Sequence, residues 1–196
     1  MSRSSHVRRH ATLDDFLAIP EDQRFHELLG DEIVEKAAPS GEHGGTQGRL
    51  AGHVGFPFDR RPGGRWPGGW WFATEVELKL GNDVCRPDVV GWRRDKVPER
   101  PRGKQITIVP DWTCEILSDG NRRNDLVYKK YLYHRHRVGH YWILDPEEQT
   151  ISVNRWHPDG YIEVLGADRT AKVRAEPFEA IEFPVGVFFG DDPPEE

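Results

Sequence analysis

The sequence predicts an α/β domain built on a mixed sheet, and three observations carry that reading. Strand-length apolar segments bounded by turn residues occur at 70–80, 84–92, 112–117 and 140–145. A helical period at 125–138 lies between the last two, and a hairpin signature stands near each end of the chain. The order strand, strand, strand, helix, strand is that of a mixed sheet carrying helices, an architecture that by itself implies no function.

The elements follow in order. Residues 12–19 read as a short helix with Thr12 as N-cap, acids in the first turn and Pro20 beyond the end. Residues 24–29 and 32–36 flank Gly30-Asp31 as a tight hairpin. Residues 42–58 show helical spacing at Leu50, Val54 and Phe58, opposed by five glycines that each cost up to about 1 kcal/mol. A loop rich in Pro, Gly and Arg (60–69) precedes a strand at 70–80, which puts Phe72, Thr74, Val76, Leu78 and Leu80 on one face. After the strand at 84–92 and a basic loop at 93–104, Ile106 to Val109 approach the apolar strand 112–117, which Asp119-Gly120-Asn121 ends. The helix 125–138 stops near Gly139, strand 140–145 is closed by Pro146, and 150–156 with 161–165 form a second hairpin through Pro158-Asp159-Gly160. One or two short edge strands complete the chain up to Phe189. A flexible basic segment (1–11), one domain (12–189) and a frayed acidic tail (190–196) are expected.

Composition narrows the function classes. The 196 residues carry 27 basic and 33 acidic side chains, a net charge of −6 that falls to −2 without the tail's four acids. That balance argues against an indiscriminate nucleic-acid coat while leaving room for a local basic groove. The start has no apolar run to act as a signal peptide and no window suits a membrane span, so the cytoplasm is the expected location. Cys85 and Cys114 are too far apart for a C-x-x-C pair and are expected to be reduced, buried thiols. The only Gly-Lys, at 103–104, has no phosphate-loop context, and no Gly-x-Ser-x-Gly elbow exists. His134, His136 and His140 read as a solvated helix end rather than a metal set.

A pair of carboxylates in adjacent apolar strands survives this sieve: Asp88, after Pro87, and Glu115, inside 112–117. Burying two acids is costly without a cation, and oxygen ligands of this kind suit Mg2+ or Mn2+. Alternation sets both acids opposite in sense to the two thiols. Asp125, Lys129 and Tyr133 recur every four residues, placing a cation on the helix face that returns over the sheet, and Lys130 turns away from that face.

The ordered pattern of Pro87-Asp88-Val89-Val90, Glu115-Ile116-Leu117-Ser118, Asp125 with Lys129 and Tyr133, and His140 to Pro146 resembles the Uma-two family of restriction-endonuclease-like proteins, which is similar to a branch of the PD-(D/E)XK nuclease superfamily. Upstream the resemblance takes in Phe25 to Val34 and Pro39 to His43, so it spans residues 12–165. It implies a restriction-endonuclease-like core and metal-dependent cleavage of DNA, with Asp88 and Glu115 as metal ligands and Lys129 as the catalytic lysine. Glu27 is a further family acid, and His43, Glu75 and Asp125 are supporting candidates. The superfamily's lysine two residues after the second acid is Leu117 here, and Lys129 is the matching position. Asp119-Gly120 replaces the family's proline after Ser118. Arg86, Arg122 and Arg123 are the candidate phosphate contacts, DNA is the expected partner and a homodimer the expected assembly. The competing expectations are a non-catalytic nucleic-acid or protein-binding module on the same fold, and acids that bind metal only structurally.

Overall fold

The computed structural model describes residues 10–36 and 38–193, so most of the basic N-terminal segment and the last three tail residues lie outside the described residues. Helix α1 (Leu13–Leu17) begins as its sequence demands: Thr12 and Asp15 form a reciprocal capping box. β1 (His26–Leu29) and β2 (Glu32–Glu35) make the expected hairpin, with Leu29 opposite Glu32. Residues that the glycines argued against form an 18-residue helix, α2 (Gly41–Phe58), which opens with the His43 N–H donating to Ser40 Oγ. Its buried stripe of His43, Thr46, Leu50, Val54 and Phe58 explains why packing overrides propensity.

The two long strands expected at 70–80 and 84–92 each break in two. β3 (Trp70–Thr74) pairs with β6 (Val89–Arg93) in one sheet, whereas β4 (Glu77–Leu80) pairs with β5 (Asp83–Cys85) in another. One break is Glu75, held at φ 55, and the other is at Pro87, which has no N–H for a ladder. The Glu75 N–H donates to the Pro87 carbonyl at 3.1 Å, tying the kinks together. The side-chain phase changes across them, so Phe72 packs in a different cluster from Val76, Leu78 and Leu80 rather than sharing their face.

The remaining elements are β7 (Gln105–Ile106), β8 (Trp112–Ile116), a π-helical segment Asn124–Lys129 running into α3 (Lys130–Arg135), β9 (His140–Asp145), β10 (Thr150–Arg155) and β11 (Ile162–Asp168). β12 (Lys172–Val173) and β13 (Phe183–Pro184) pair with each other instead of edging a larger sheet. The expected single sheet is thus two mixed sheets, ordered β2-β1-β5-β4-β7 and β11-β10-β9-β8-β6-β3, with the parallel pairs β4/β7 and β8/β9. Helix α3 ends three residues before the expected Val138. Arg137, at φ 59, closes it in a Schellman arrangement, with the Val138 N–H on Tyr133 O and the Arg137 N–H on His134 O.

The six-stranded sheet separates two cores. One face carries Trp112, Cys114, Ile116, Trp142 and Leu144 against α2 and the C-terminal segment. The other carries Val90, Trp92, Tyr141 and Ile143 against α3 and the five-stranded sheet. Phe16, Leu28 and Val84 form a third, smaller cluster beneath α1. Both thiols are free and buried as expected, but they lie in different cores, because the Pro87 break resets the alternation that had put them on one side. Asp191, expected in a frayed tail, is paired with Arg169. Among the described residues, no helix is long and apolar enough to cross a membrane.

Candidate functional site

The kink where both long strands pass from one sheet to the other gathers the polar residues. Antiparallel register pairs Val89 with Cys114, so the next step sets Asp88 opposite Glu115, both on the face away from Cys114. Asp88 Oδ2 accepts the Ile116 N–H at 2.7 Å. Its Oδ1 faces Lys36 Nζ at 2.9 Å and His43 Nε2 at 3.4 Å.

Two cages share this region. In the outer one, Lys36 Nζ donates to Glu75 Oε2 at 2.7 Å and to the Arg86 carbonyl at 2.7 Å in addition to Asp88. Gln47 Nε2 donates to Glu75 Oε1 at 3.1 Å and to the Asp88 carbonyl at 2.8 Å. These contacts hold Glu75 in a left-handed backbone conformation that costs a residue with a side chain about 1–2 kcal/mol. In the inner cage Lys129 Nζ, 1% exposed, lies 3.0 Å from Glu27 Oε1, 3.1 Å from Glu115 Oε2 and 3.1 Å from Asp125 Oδ1. Tyr133 donates to Glu115 Oε1 at 2.5 Å, which leaves both oxygens of Glu115 engaged. Arg86 joins the cages, its carbonyl accepting from Lys36 and its N–H donating to Glu27 Oε1 at 2.6 Å.

The electrostatics differ between the cages. Burial alone would raise the Asp88 pKa, but the His43 ring and the Lys36 ammonium outweigh it and hold the carboxyl well below the usual range. Burial raises Glu115 well above the carboxylate range, and the neighbouring acids Asp125 and Asp88 add to it against the opposing Lys129. Asp125 is raised in the same way, burial first. Lys129 is itself held protonated: burial opposes the charge, but Glu115, Glu27 and Asp125 prevail.

The donor chemistry suits a divalent cation. Among the described residues, His43, Glu75 and Asp88 form the one group of three whose ligand atoms all lie within 4.8 Å of one another. His43 is nearly sealed, with 7% of its side chain exposed, yet neither ring nitrogen has a hydrogen-bond partner among the described residues. A buried imidazole left with only one long, poorly aligned carboxylate contact is costly unless something else takes its lone pair. An open cleft of about 460 Å³, lined by Ser40, His43, Leu117, Ser118, Arg122 and Asp145, reaches this ring from outside.

The structure thus brings Glu27, Asp125 and Glu115 together on Lys129, and Glu75 and His43 together on Asp88. Of the arginines singled out, Arg86 is turned onto Glu77 at 2.8 Å. Arg122 lies at the cleft on Asp145 at 2.6 Å, and Arg123 sits over the Tyr128 ring. His134 lies against Trp156 and His140 against Glu176, apart from the site. Two residues here were not anticipated. Lys36 reads as the end of a hairpin and nothing local marks it. Gln47 lies one helical turn beyond His43, a signal that becomes usable once 41–58 is accepted as helix.

A larger concavity lies elsewhere, about 1130 Å³, lined by Arg61, Arg93, Arg94, Arg100 and Arg102 with Trp71. It begins at Trp70, the far end of β3 from Glu75, separated by about 16 Å of strand. Arg94 and Arg100 bracket the Trp71 ring at 3.3 and 4.6 Å and share Asp59. Arg61, Arg93 and Arg102 have no acidic side-chain partner among the described residues.

Comparison with known proteins agrees with this architecture. The family model described as "Uma2: Putative restriction endonuclease" matches residues 13–186. A solved structure described as "a putative nuclease belonging to DUF820", from Anabaena variabilis, superposes with a TM-score of 0.74 at 22% identity, covering 91% of this chain and 97% of that one. No curated protein matches.

Proposed function

This chain belongs to the Uma2 family, and on that premise we propose that it is an endonuclease that hydrolyses DNA phosphodiester bonds with Mg2+ or Mn2+. The observation that carries the reading is the buried His43 ring, set 3.4 Å from the Asp88 carboxylate without good hydrogen-bond geometry, with Glu75 completing a convergent donor group. Asp88 would hold the cation with His43 and Glu75, and Glu115 is the proposed acid across the strand pair. When bound, such an ion neutralises phosphate charge and makes a water acidic enough to attack at neutral pH.

The chain's own residues do the rest. The Ile116 N–H fixes one Asp88 oxygen and leaves the other facing Lys36 and His43. Lys129 acts through Glu115: its ammonium is buried and shared by three carboxylates, so it is a positioning residue that keeps Glu115 in place under Asp88. Arg61, Arg93 and Arg102 offer phosphate contacts to the flanking duplex, and Arg122 offers one beside His43.

The test is relaxation or linearisation of supercoiled plasmid by purified protein. Cleavage is expected with Mn2+, absent with EDTA, and abolished by Asp88→Asn. Cleavage that survives EDTA or that substitution overturns the reading.

A further inference from the structure

The outer cage already holds a cation, and it belongs to the chain. Lys36 follows β2, an edge strand of the five-stranded sheet, and its backbone N–H is pinned to the Phe25 carbonyl at 2.8 Å. From there its side chain, 11% exposed, reaches into the kink. An ammonium has three N–H donors, and here each meets an oxygen: Glu75 Oε2 at 2.7 Å, the Arg86 carbonyl at 2.7 Å and Asp88 Oδ1 at 2.9 Å. His43 Nε2 stands 3.4 Å from that same Asp88 oxygen. Two carboxylates and one carbonyl thus converge on a monovalent positive charge, with an imidazole beside one of the carboxylates.

Those oxygens sit at ammonium distances, whereas Mg2+ requires about 2.0–2.1 Å and dehydrates only for a tight donor set. The ammonium and a divalent ion would compete for the same lone pairs and repel each other across them. We infer that Lys36 is a displaceable resident cation: it neutralises Glu75 and Asp88 in the metal-free protein, and metal loading drives its side chain out of the cage. The inference rests on the metal reading proposed above. The exit is short, since the stem is flexible, the strand is at a sheet edge and the anchored backbone need not move. Lys129 offers the contrast within the same molecule, its ammonium being 1% exposed and enclosed by three acids and so without an exit. Lys36 therefore sets how much metal is needed before the site is loaded.

Two measurements on the full chain test this. Amine acetylation followed by peptide mass spectrometry reads Lys36 directly: labelling is expected to be slow without metal and several-fold faster in saturating Mn2+, while Lys129 stays unlabelled in both. Labelling of Lys36 that is unchanged or slower with Mn2+ overturns the inference. Calorimetric Mn2+ titration of Lys36→Met is expected to show binding at least about tenfold tighter than wild type, as expected when a competitor beside the ligands is removed. Unchanged or weaker binding would show that Lys36 arranges the ligands instead. Lys36→Gln serves if the methionine variant does not fold. Asp88→Asn separates the two levels of argument. If wild type and Lys36→Met bind Mn2+ equally and Asp88→Asn does not bind, only the displacement idea fails. If neither wild type nor Lys36→Met binds, or Asp88→Asn binds as well as wild type, the metal reading fails and takes displacement with it.

Discussion

Replacing Lys129 by Met keeps the length of the stem and removes the one ammonium among Glu27, Glu115 and Asp125. Removing one partner from a buried ionic cluster typically costs about 3–5 kcal/mol, because the charge left behind has no water to turn to. Here the cost can be worked from linkage. The cluster can restore its balance by binding one extra proton on a carboxylate in place of the lost ammonium. Taking up that proton at pH 7.5, against an unfolded pKa of about 4.3, costs about 4 kcal/mol, falling to about 1 kcal/mol at pH 5. The sign follows from the raised carboxylates. Glu115 and Asp125 already lie above their ordinary values, and without Lys129 the group taking the proton lies higher still. A folded pKa above the unfolded one gives stability that is present below the unfolded pKa and lost as pH rises. Lys129→Met should therefore be severely destabilised at pH 7.5 and approach wild type near pH 5, with a slope of about 1.4 kcal/mol per pH unit. Urea melts of both proteins at the two pH values measure this. A deficit that does not change with pH, or one below about 1 kcal/mol at pH 7.5, refutes the charge-balance account.

The other expectations are simpler. Gly48 and Gly52 lie on the exposed side of α2, and a methyl group there meets nothing within 4 Å; Gly48→Ala and Gly52→Ala should each stabilise by about 0.5–1 kcal/mol in thermal melts, and destabilisation would mean that the open face has a partner. Burial raises both thiols, Cys114 with further help from Asp88, so neither Cys85 nor Cys114 should react with a thiol reagent until the protein unfolds; fast native labelling would contradict the packing. Changing Arg61, Arg93 and Arg102 together to Ala should weaken DNA binding and lower the salt dependence by about 3 counterions in anisotropy titrations, leaving Mn2+ binding intact; an unchanged salt slope would remove the arginine groove from the DNA path.

Much of the fold was legible wherever a local rule and the tertiary structure agreed. Gly30-Asp31 announced its hairpin, Thr12 its capping box, and the four-residue row of Asp125, Lys129 and Tyr133 its common buried face, although the first turns are π-helical. The strand break at Pro87 could have been suspected from its missing N–H, but the one at Glu75 could not, because a left-handed glutamate is held there by Lys36, Gln47 and Pro87 from three other segments. That hidden kink is why the site was only half readable. Asp88 and Glu115 stood out as acids in apolar strands, whereas Lys36 becomes a site residue only through the fold that carries it to the kink. Helix α2 showed in the spacing of Leu50, Val54 and Phe58 but was weakened by its glycines, and Gln47 stayed hidden, since the apolar stripe gains its full weight only against the six-stranded sheet.

A divalent cation at the Asp88 carboxylate is what makes this cluster of side chains a nuclease centre rather than a buried ionic network. Anomalous diffraction from a crystal soaked in Mn2+ tests that most directly. It should show a peak in ligand contact with Asp88 between His43 and Glu75, with the Lys36 side chain withdrawn. No peak there, or a peak at a site that Asp88 does not touch, would contradict it.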